Sequence, residues 1–336
     1  MTASPPPRDP WLTSLPKVEL HLHIDGTLTA DRLLALAGKH RVALPWADEG
    51  EVRAAYDFKD LQSFLDLYYL GASVLRDAED FHGLMLDYLK VCREQGIRHC
   101  EIMVEPQTYR PQGVALATVM EGFLAAMEEA RRDWGQSVLL ILSVLRHLPE
   151  DDGLRLLAEA RPWREHFCAL GLASAELGNP PSAFRRLFAL ARAEGYRTVA
   201  HAGEEGPPGY IREALDLLQV QRIDHGVRAT EDPALLERLI RDQVPLTVCP
   251  LSNERLRVYE RLEDHPVLSL LEAGALVTVN SDDPAYFGGY LLENFQALRD
   301  RLGMRPAQAQ ALSRNAVVAS FLPPAAKRDL LAEIDS

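Results

Sequence analysis

Four short stretches of this sequence carry residues able to do chemistry in concert. The first is Glu19-Leu20-His21-Leu22-His23-Ile24-Asp25-Gly26, in which two histidines stand two residues apart. If the segment is extended, residues i and i+2 point to one face, and both imidazoles project together from one rigid element. A metal ion needs that geometry from a pair of ligands. The second is Thr198-Val199-Ala200-His201-Ala202-Gly203-Glu204, the third Arg222-Ile223-Asp224-His225-Gly226, and the fourth Asn280-Ser281-Asp282-Asp283-Pro284. In each, an apolar run ends in a histidine or aspartate followed by a turn residue. Taken singly, His201 or His225 could be a hydrogen-bonded core histidine, and Asp282 or Asp283 could be an Asx turn ahead of Pro284. Brought together, so many imidazoles and carboxylates require a cation or a role in proton transfer.

The set His21, His23, His201 and Asp282 suits zinc or another borderline divalent metal, with one coordination position left for water. A cation there makes water acidic enough to ionise near neutral pH. Glu204, three residues after His201, suits a general acid, and a dry pocket would raise its pKa for that task. His225 is placed to hydrogen-bond a metal-bound water.

The elements that must position these groups follow from the pattern of the chain. Eight apolar, β-branched runs read as strands: 17–24, 98–105, 138–146, 167–174, 198–204, 222–227, 246–249 and 275–281. Between them lie stretches of helical period, such as 114–133, 182–194 and 233–242. Strand–helix repetition predicts a parallel sheet, and eight units at this length fit a (β/α)8 TIM barrel, whose chemistry sits at the C-terminal ends of its strands. An open doubly wound sheet is the rival, but the first strand is not followed by the Gly-rich phosphate turn of that fold. Residues 60–95 read as a helical insertion after the first strand. Its aromatic neighbourhood, Phe58, Phe64, Tyr68 and Tyr69, could cover a barrel mouth or serve plain helix packing. Residues 1–15, rich in proline, read as a loose arm, and 16–325 as a single barrel domain.

Composition narrows the class of partner. The 336 residues carry 49 acidic against 36 basic side chains, a formal net charge of −13, so a phosphate-tracking nucleic-acid binder is disfavoured and the ligand should be small or neutral. Four cysteines without C-x-x-C spacing suggest neither a structural zinc site nor a redox dithiol. The N-terminal stretch lacks the apolar core of a secretory signal, and no run is long enough to span a membrane, so the cytoplasm is the expected compartment.

These motifs, in this order and strand context, resemble the adenosine/adenine deaminase family of the amidohydrolase superfamily. The resemblance extends from about residue 15 to 320, and it is carried by residues 16–28, His201-Ala202-Gly203-Glu204, His225-Gly226 and Asp282-Asp283-Pro284. It implies a (β/α)8 barrel with one zinc ion held by His21, His23, His201 and Asp282. It further implies Glu204 as proton donor to purine N1, His225 as the group that orients and helps deprotonate the attacking water, and Asp283 as a ligand of the purine at N7. The implied reaction is attack of water on C6 with loss of ammonia.

Several segments, among them 60–65, 201–208, 245–253 and 280–290, resemble the adenine-specific subgroup. Nucleoside enzymes of the family have a glycine after the fourth strand, leaving room for ribose. Here Glu176 is taken as the corresponding residue, expected to fill that space and to accept a hydrogen bond from a free base N–H. The expected activity is therefore zinc-dependent deamination of adenine to hypoxanthine, with adenosine or an N6-substituted adenine as alternatives. Ala173 and Asn179 stand where that subgroup has aspartate and histidine, which puts the pocket's edge in question. A binuclear, lysine-bridged hydrolase is excluded because no lysine occurs between Lys90 and Lys327.

Overall fold

A computed structural model describes residues 9–336. Eight strands follow one another: β1 Lys17–Glu19, β2 Ile97–Val104, β3 Ser137–Leu145, β4 Phe167–Ala173, β5 Arg197–Ala202, β6 Arg222–His225, β7 Leu246–Val248 and β8 Val277–Val279. Each pairs in parallel with the next, in the order β1 to β8. The ring returns to its start just beyond β8, where the His23 N–H donates to Asp282 O (3.0 Å) and the Asp282 N–H to His21 O (3.2 Å). The architecture is a (β/α)8 barrel, and the doubly wound alternative is set aside.

The strands read as nearly continuous apolar runs because both faces are covered. On β3, Leu140, Leu142 and Val144 face the surrounding helices and belong to the main core, whereas Ile141 faces inward. Ile141 lies in register with Met103 of β2 and Ala169 of β4, and with Val199 of β5 these four fully buried residues form a separate layer inside the barrel. Below that layer Arg222 donates to Glu101 (2.7 Å), both wholly buried, and the Phe321 N–H also donates to Glu101.

Helix ends follow from local chemistry. The helix Pro233–Asp242 has the predicted bounds, with Asp232 accepting from the Leu235 N–H and proline at its first position. The predicted helix 114–133 is observed as Leu116–Trp134, ended by Gly135 at φ +70°. The expected first strand 17–24 is shorter. Its pairing is interrupted because the Leu20 N–H donates to the Asn280 side chain (2.8 Å), and bridges resume only at Leu22 and His23. The β1–β2 connection holds four α-helices, Ala30–His40, Glu49–Ala54, Leu61–Ala72 and Ala78–Glu94. Asp60 and Ser63 cap the third of these reciprocally.

Of the predicted arm, residues 1–8 lie outside the described residues. Pro10–Ser14 forms a helix rather than a loose segment, with Leu12 and Leu15 buried and the Lys17 ammonium donating to the Leu12 and Leu15 carbonyls (both 2.6 Å). At the other end the helix Pro324–Ile334 runs past the expected boundary at 325, and its Ile334 is buried.

Candidate active site at the barrel mouth

Four strand ends bring the predicted groups together. His21 and His23 follow β1, His201 sits within β5, and Asp282 follows β8. The Nε2 atoms of His21 and His23 lie 3.1 and 3.2 Å from that of His201, and Asp282 Oδ1 lies 3.3 and 3.4 Å from the first two. The opposite nitrogens are engaged elsewhere. His21 Nδ1 is 3.1 Å from Thr247 O, His23 Nδ1 is 2.7 Å from Glu105 Oε1, and His201 Nδ1 is 3.0 Å from Leu172 O. These carbonyl and carboxylate acceptors fix the Nδ1–H tautomer on each ring, so three Nε2 lone pairs and a carboxylate converge on one point. Such a donor set demands positive charge. A proton on His23 would supply it, since Glu105 and Asp283 hold that pKa well above the usual range although burial opposes them. A divalent cation satisfies all four groups at once, and the residues fit one.

Local backbone geometry serves this convergence. Asp282 (φ +64°) and His225 (φ +61°) occupy the left-handed region that non-glycine residues rarely adopt, a strain concentrated at functional sites. Asp282 Oδ2 accepts from the Ser252 hydroxyl (2.6 Å), which leaves Oδ1 facing the imidazoles. Gly26 is required where it stands, because a Cβ there would overlap the Asp283 backbone and carboxyl.

Two further carboxyls border the cluster. Burial, reinforced by the neighbouring Asp282, raises the pKa of Glu204 well above its ordinary value and does the same for Asp283. Each has one buried oxygen without a partner, Glu204 Oε1 and Asp283 Oδ1. A protonated carboxyl with an unmatched oxygen is equipped to donate to a ring nitrogen of a ligand. His225 lies between Glu204 and the cluster, its Nε2 3.5 Å from Glu204 Oε2 and 3.8 Å from Asp282 Oδ2. Burial, followed by the field of His21, pushes its pKa down to about 3.

The cavity over these groups is roofed by Leu61, Phe64, Leu65, Tyr68 and Tyr69 of the helix Leu61–Ala72, so the aromatic residues expected to cover the mouth include three that do so. Phe58 packs behind them against Phe64 and Phe287. The apolar roof and polar floor suit a flat heteroaromatic ligand.

Glu176 is the exception among the predicted residues. It is fully buried but does not line the cavity, and its carboxylate accepts from the backbone N–H groups of Gly203 (2.7 Å), Glu204 (3.0 Å), Glu205 (3.0 Å) and Gly206 (2.8 Å). These bonds tie it to the turn that carries Glu204, so that here it anchors the site's backbone, where it was expected to meet the ligand. The residue after β4 that does face the cavity is Ser174, at φ +78°, a conformation suited to glycine. Its Oγ is 2.9 Å from Tyr69 Oη and 2.7 Å from His147 Nδ1. The resemblance that assigned Glu176 to the glycine position identifies the turn but not which of its residues faces inward. Glu105, Thr247, Ser252 and Asn253 also escaped notice as site residues. Glu105 directly follows β2, Thr247 lies within β7, and Ser252 and Asn253 lie in the short helix Pro250–Arg255 after it, so nearness to a recognised strand is the one signal that could have found them.

A (β/α)8 barrel whose mouth gathers three imidazoles and a carboxylate able to hold a cation, beside two buried carboxyls of raised pKa, is the architecture of an amidohydrolase. Residues 16–336 match the adenosine deaminase family, and the chain belongs to it. It is 56% identical over 307 residues, 91% of this chain and 97% of the relative, to an adenine deaminase of Bordetella avium. The crystal structure of adenine deaminase from Arthrobacter aurescens superposes with a TM-score of 0.93 at 47% identity, covering 95% of this chain and 98% of that one. An amidohydrolase from Burkhoderia ambifaria with bound Zn superposes with a TM-score of 0.88 at 25% identity, covering 97% and 92%.

Proposed function

We propose that this protein hydrolyses adenine to hypoxanthine and ammonia using one zinc ion held by His21, His23, His201 and Asp282. The observation that carries the reading is the pairing of that cluster with Glu204, a buried carboxyl of raised pKa within reach of His225. High identity to relatives named adenine deaminase supports the substrate, and the zinc-containing neighbour supports the metal. Zinc, when bound, supplies a water that ionises near neutral pH.

The chain's own residues do the rest. Glu204 holds a proton for purine N1, which makes C6 electrophilic. Asp283, also neutral, donates to N7, an acceptor in adenine. His225 orients the attacking water, and the roof helix excludes bulk solvent so that these hydrogen bonds act in a low-dielectric space. Glu105 fixes the ring of His23. Glu176 positions Glu204 by anchoring its turn. Ser174, linked to Tyr69, lines the pocket after β4 and is the wall proposed to exclude a ribose on N9.

Ammonia release from adenine, adenosine and N6-alkyl adenines by the zinc-loaded protein tests the reading. Adenine is expected to give the highest kcat/KM. Preferred turnover of adenosine or of an N6-substituted base would overturn it.

A further inference from the structure

Behind His225 runs a line of buried groups that no proposed role so far uses. His225 Nδ1 is 3.3 Å from Asn253 Nδ2, Asn253 Oδ1 is 3.1 Å from His265 Nε2, and His265 Nδ1 is 3.2 Å from the backbone nitrogen of Val267. Asn253 is completely buried and His265 nearly so.

The far end of this line fixes the rest. A backbone N–H can only donate, so His265 Nδ1 accepts from Val267. A neutral imidazole whose Nδ1 accepts carries its hydrogen on Nε2, and His265 therefore donates to Asn253 Oδ1. Burial keeps that ring neutral by pushing its pKa down to about 3. With its oxygen so engaged, the Asn253 amide turns its NH2 toward His225. His225 Nδ1 then accepts, and the single hydrogen of that ring sits on Nε2, facing Glu204 Oε2 and Asp282 Oδ2.

We propose that Asn253 and His265 are positioning residues that set the tautomer of His225, making it a hydrogen-bond donor toward the attacking oxygen rather than an acceptor of its proton. The opposite orientation holds for the three clustered imidazoles, whose Nδ1–H groups are tied back and whose Nε2 lone pairs face the cation site. One histidine of the four is thus wired in reverse, and the difference originates at a backbone amide of the helix Val267–Glu272. In its neutral form His225 has no free lone pair, so the water's proton passes to the carboxylate that Glu204 becomes once its own proton has gone to purine N1. The inference rests on the function proposed above, but its first readout does not need turnover.

The experiment is ¹⁵N NMR of the zinc-loaded full chain with labelled histidine, His225 being assigned by the signals lost in His225→Asn. The wild type is expected to show His225 protonated on Nε2, and an Nδ1–H tautomer would overturn the proposal. Asn253→Asp preserves shape and still accepts from His265, but offers His225 an acceptor. It should exchange the two nitrogen shifts of His225 and lower kcat for adenine by about 10- to 100-fold, with KM changed by less than about twofold. Unchanged shifts in that variant would also refute the proposal. Should Asn253→Asp not fold, a second pair decides. His265→Gln keeps a donor for Asn253 Oδ1 and should retain kcat within about threefold, whereas His265→Leu should lose as much as Asn253→Asp. Equal loss in both would mark a packing role only. An adenine-inactive wild type with the Nε2–H tautomer would refute the proposed function and leave the wiring standing.

Discussion

Replacing Glu176 with glutamine separates the anchoring role seen in the structure from a direct encounter with substrate. Three N–H groups, of Glu204, Glu205 and Gly206, converge on Oε2, and that of Gly203 reaches Oε1. A glutamine can keep its oxygen where the three converge, but its NH2 then confronts the Gly203 N–H, and the remaining bonds lose the help of a full charge. Hydrogen bonds to a charged partner contribute about 1.5–3 kcal/mol each, and a buried orphan donor costs about 1–3 kcal/mol. The net loss should be about 3–5 kcal/mol. At about 2.1 cal/mol/K per residue, unfolding entropy for 336 residues is about 0.7 kcal/mol/K, which converts the loss to a Tm lower by about 4–7 °C. Because Glu204 belongs to the anchored turn, kcat for adenine should fall by more than tenfold while adenosine remains a poor substrate. Scanning calorimetry and steady-state kinetics on the zinc-loaded variant provide the check. A Tm within about 1 °C of wild type, or adenosine turnover gained with adenine turnover kept, would refute the reasoning.

Glu204→Gln retains shape but has no proton to give, so kcat should drop by about 10²–10⁴ with KM little changed. In the wild type, kcat should decline as pH rises through the elevated pKa of Glu204, because the acid is competent only while protonated; a flat alkaline limb would contradict this. Ser174→Gly removes a left-handed serine and its bonds to Tyr69 and His147. Stability should change by less than about 1 kcal/mol and the adenosine-to-adenine ratio of kcat/KM should rise, an unchanged ratio counting against Ser174 as the wall. Beneath the pocket, burial would raise the Glu101 pKa, but Arg222 outweighs it and holds the value at about 2. A carboxylate depressed in the folded state stabilises above its unfolded pKa of about 4.5, and that stability is lost as pH falls toward about 2, roughly 3 kcal/mol in all. Acid titration followed by circular dichroism should show this limb in the wild type and not in Glu101→Gln, which leaves Arg222 unpaired and less stable at neutral pH.

The sequence was most legible where one physical rule acted alone. Apolar runs alternating with helical period gave all eight strands in order, and Asp232 followed by Pro233 marked a helix start to the residue. The histidines and aspartates of the site announced themselves because ionisable residues at the ends of apolar runs have few structural uses. Legibility failed where a side chain took the place of backbone. Asn280 accepts the Leu20 N–H that strand pairing would otherwise claim, which cuts β1 short, and Lys17 ties down a helix in a segment that reads as loose. The anchoring of Glu176 was equally hidden, since a carboxylate beside a strand end reads the same whether it faces a ligand or four amides. The reverse wiring of His225 depends on a backbone nitrogen forty-two residues further along, at Val267, and no local pattern encodes it.

The seam between β8 and β1 has a consequence for how the protein holds together. Those strands meet through the backbones of His21, His23 and Asp282, three of the four proposed zinc ligands. An ion gripping their side chains acts as a clasp on the last join of the ring, so affinity for metal and closure of the barrel become one quantity. Free zinc at a hundred times its Kd would deepen stability by about 2.7 kcal/mol, and a chelator would withdraw it. The loosening should begin locally: amide exchange at His23 and Asp282 should quicken first, while β2 and β3, paired without a break from His99 to Val104, stay shut. A cell short of zinc would then hold this chain unlatched at one seam, and proteolysis rather than slow turnover would set how much of it survives.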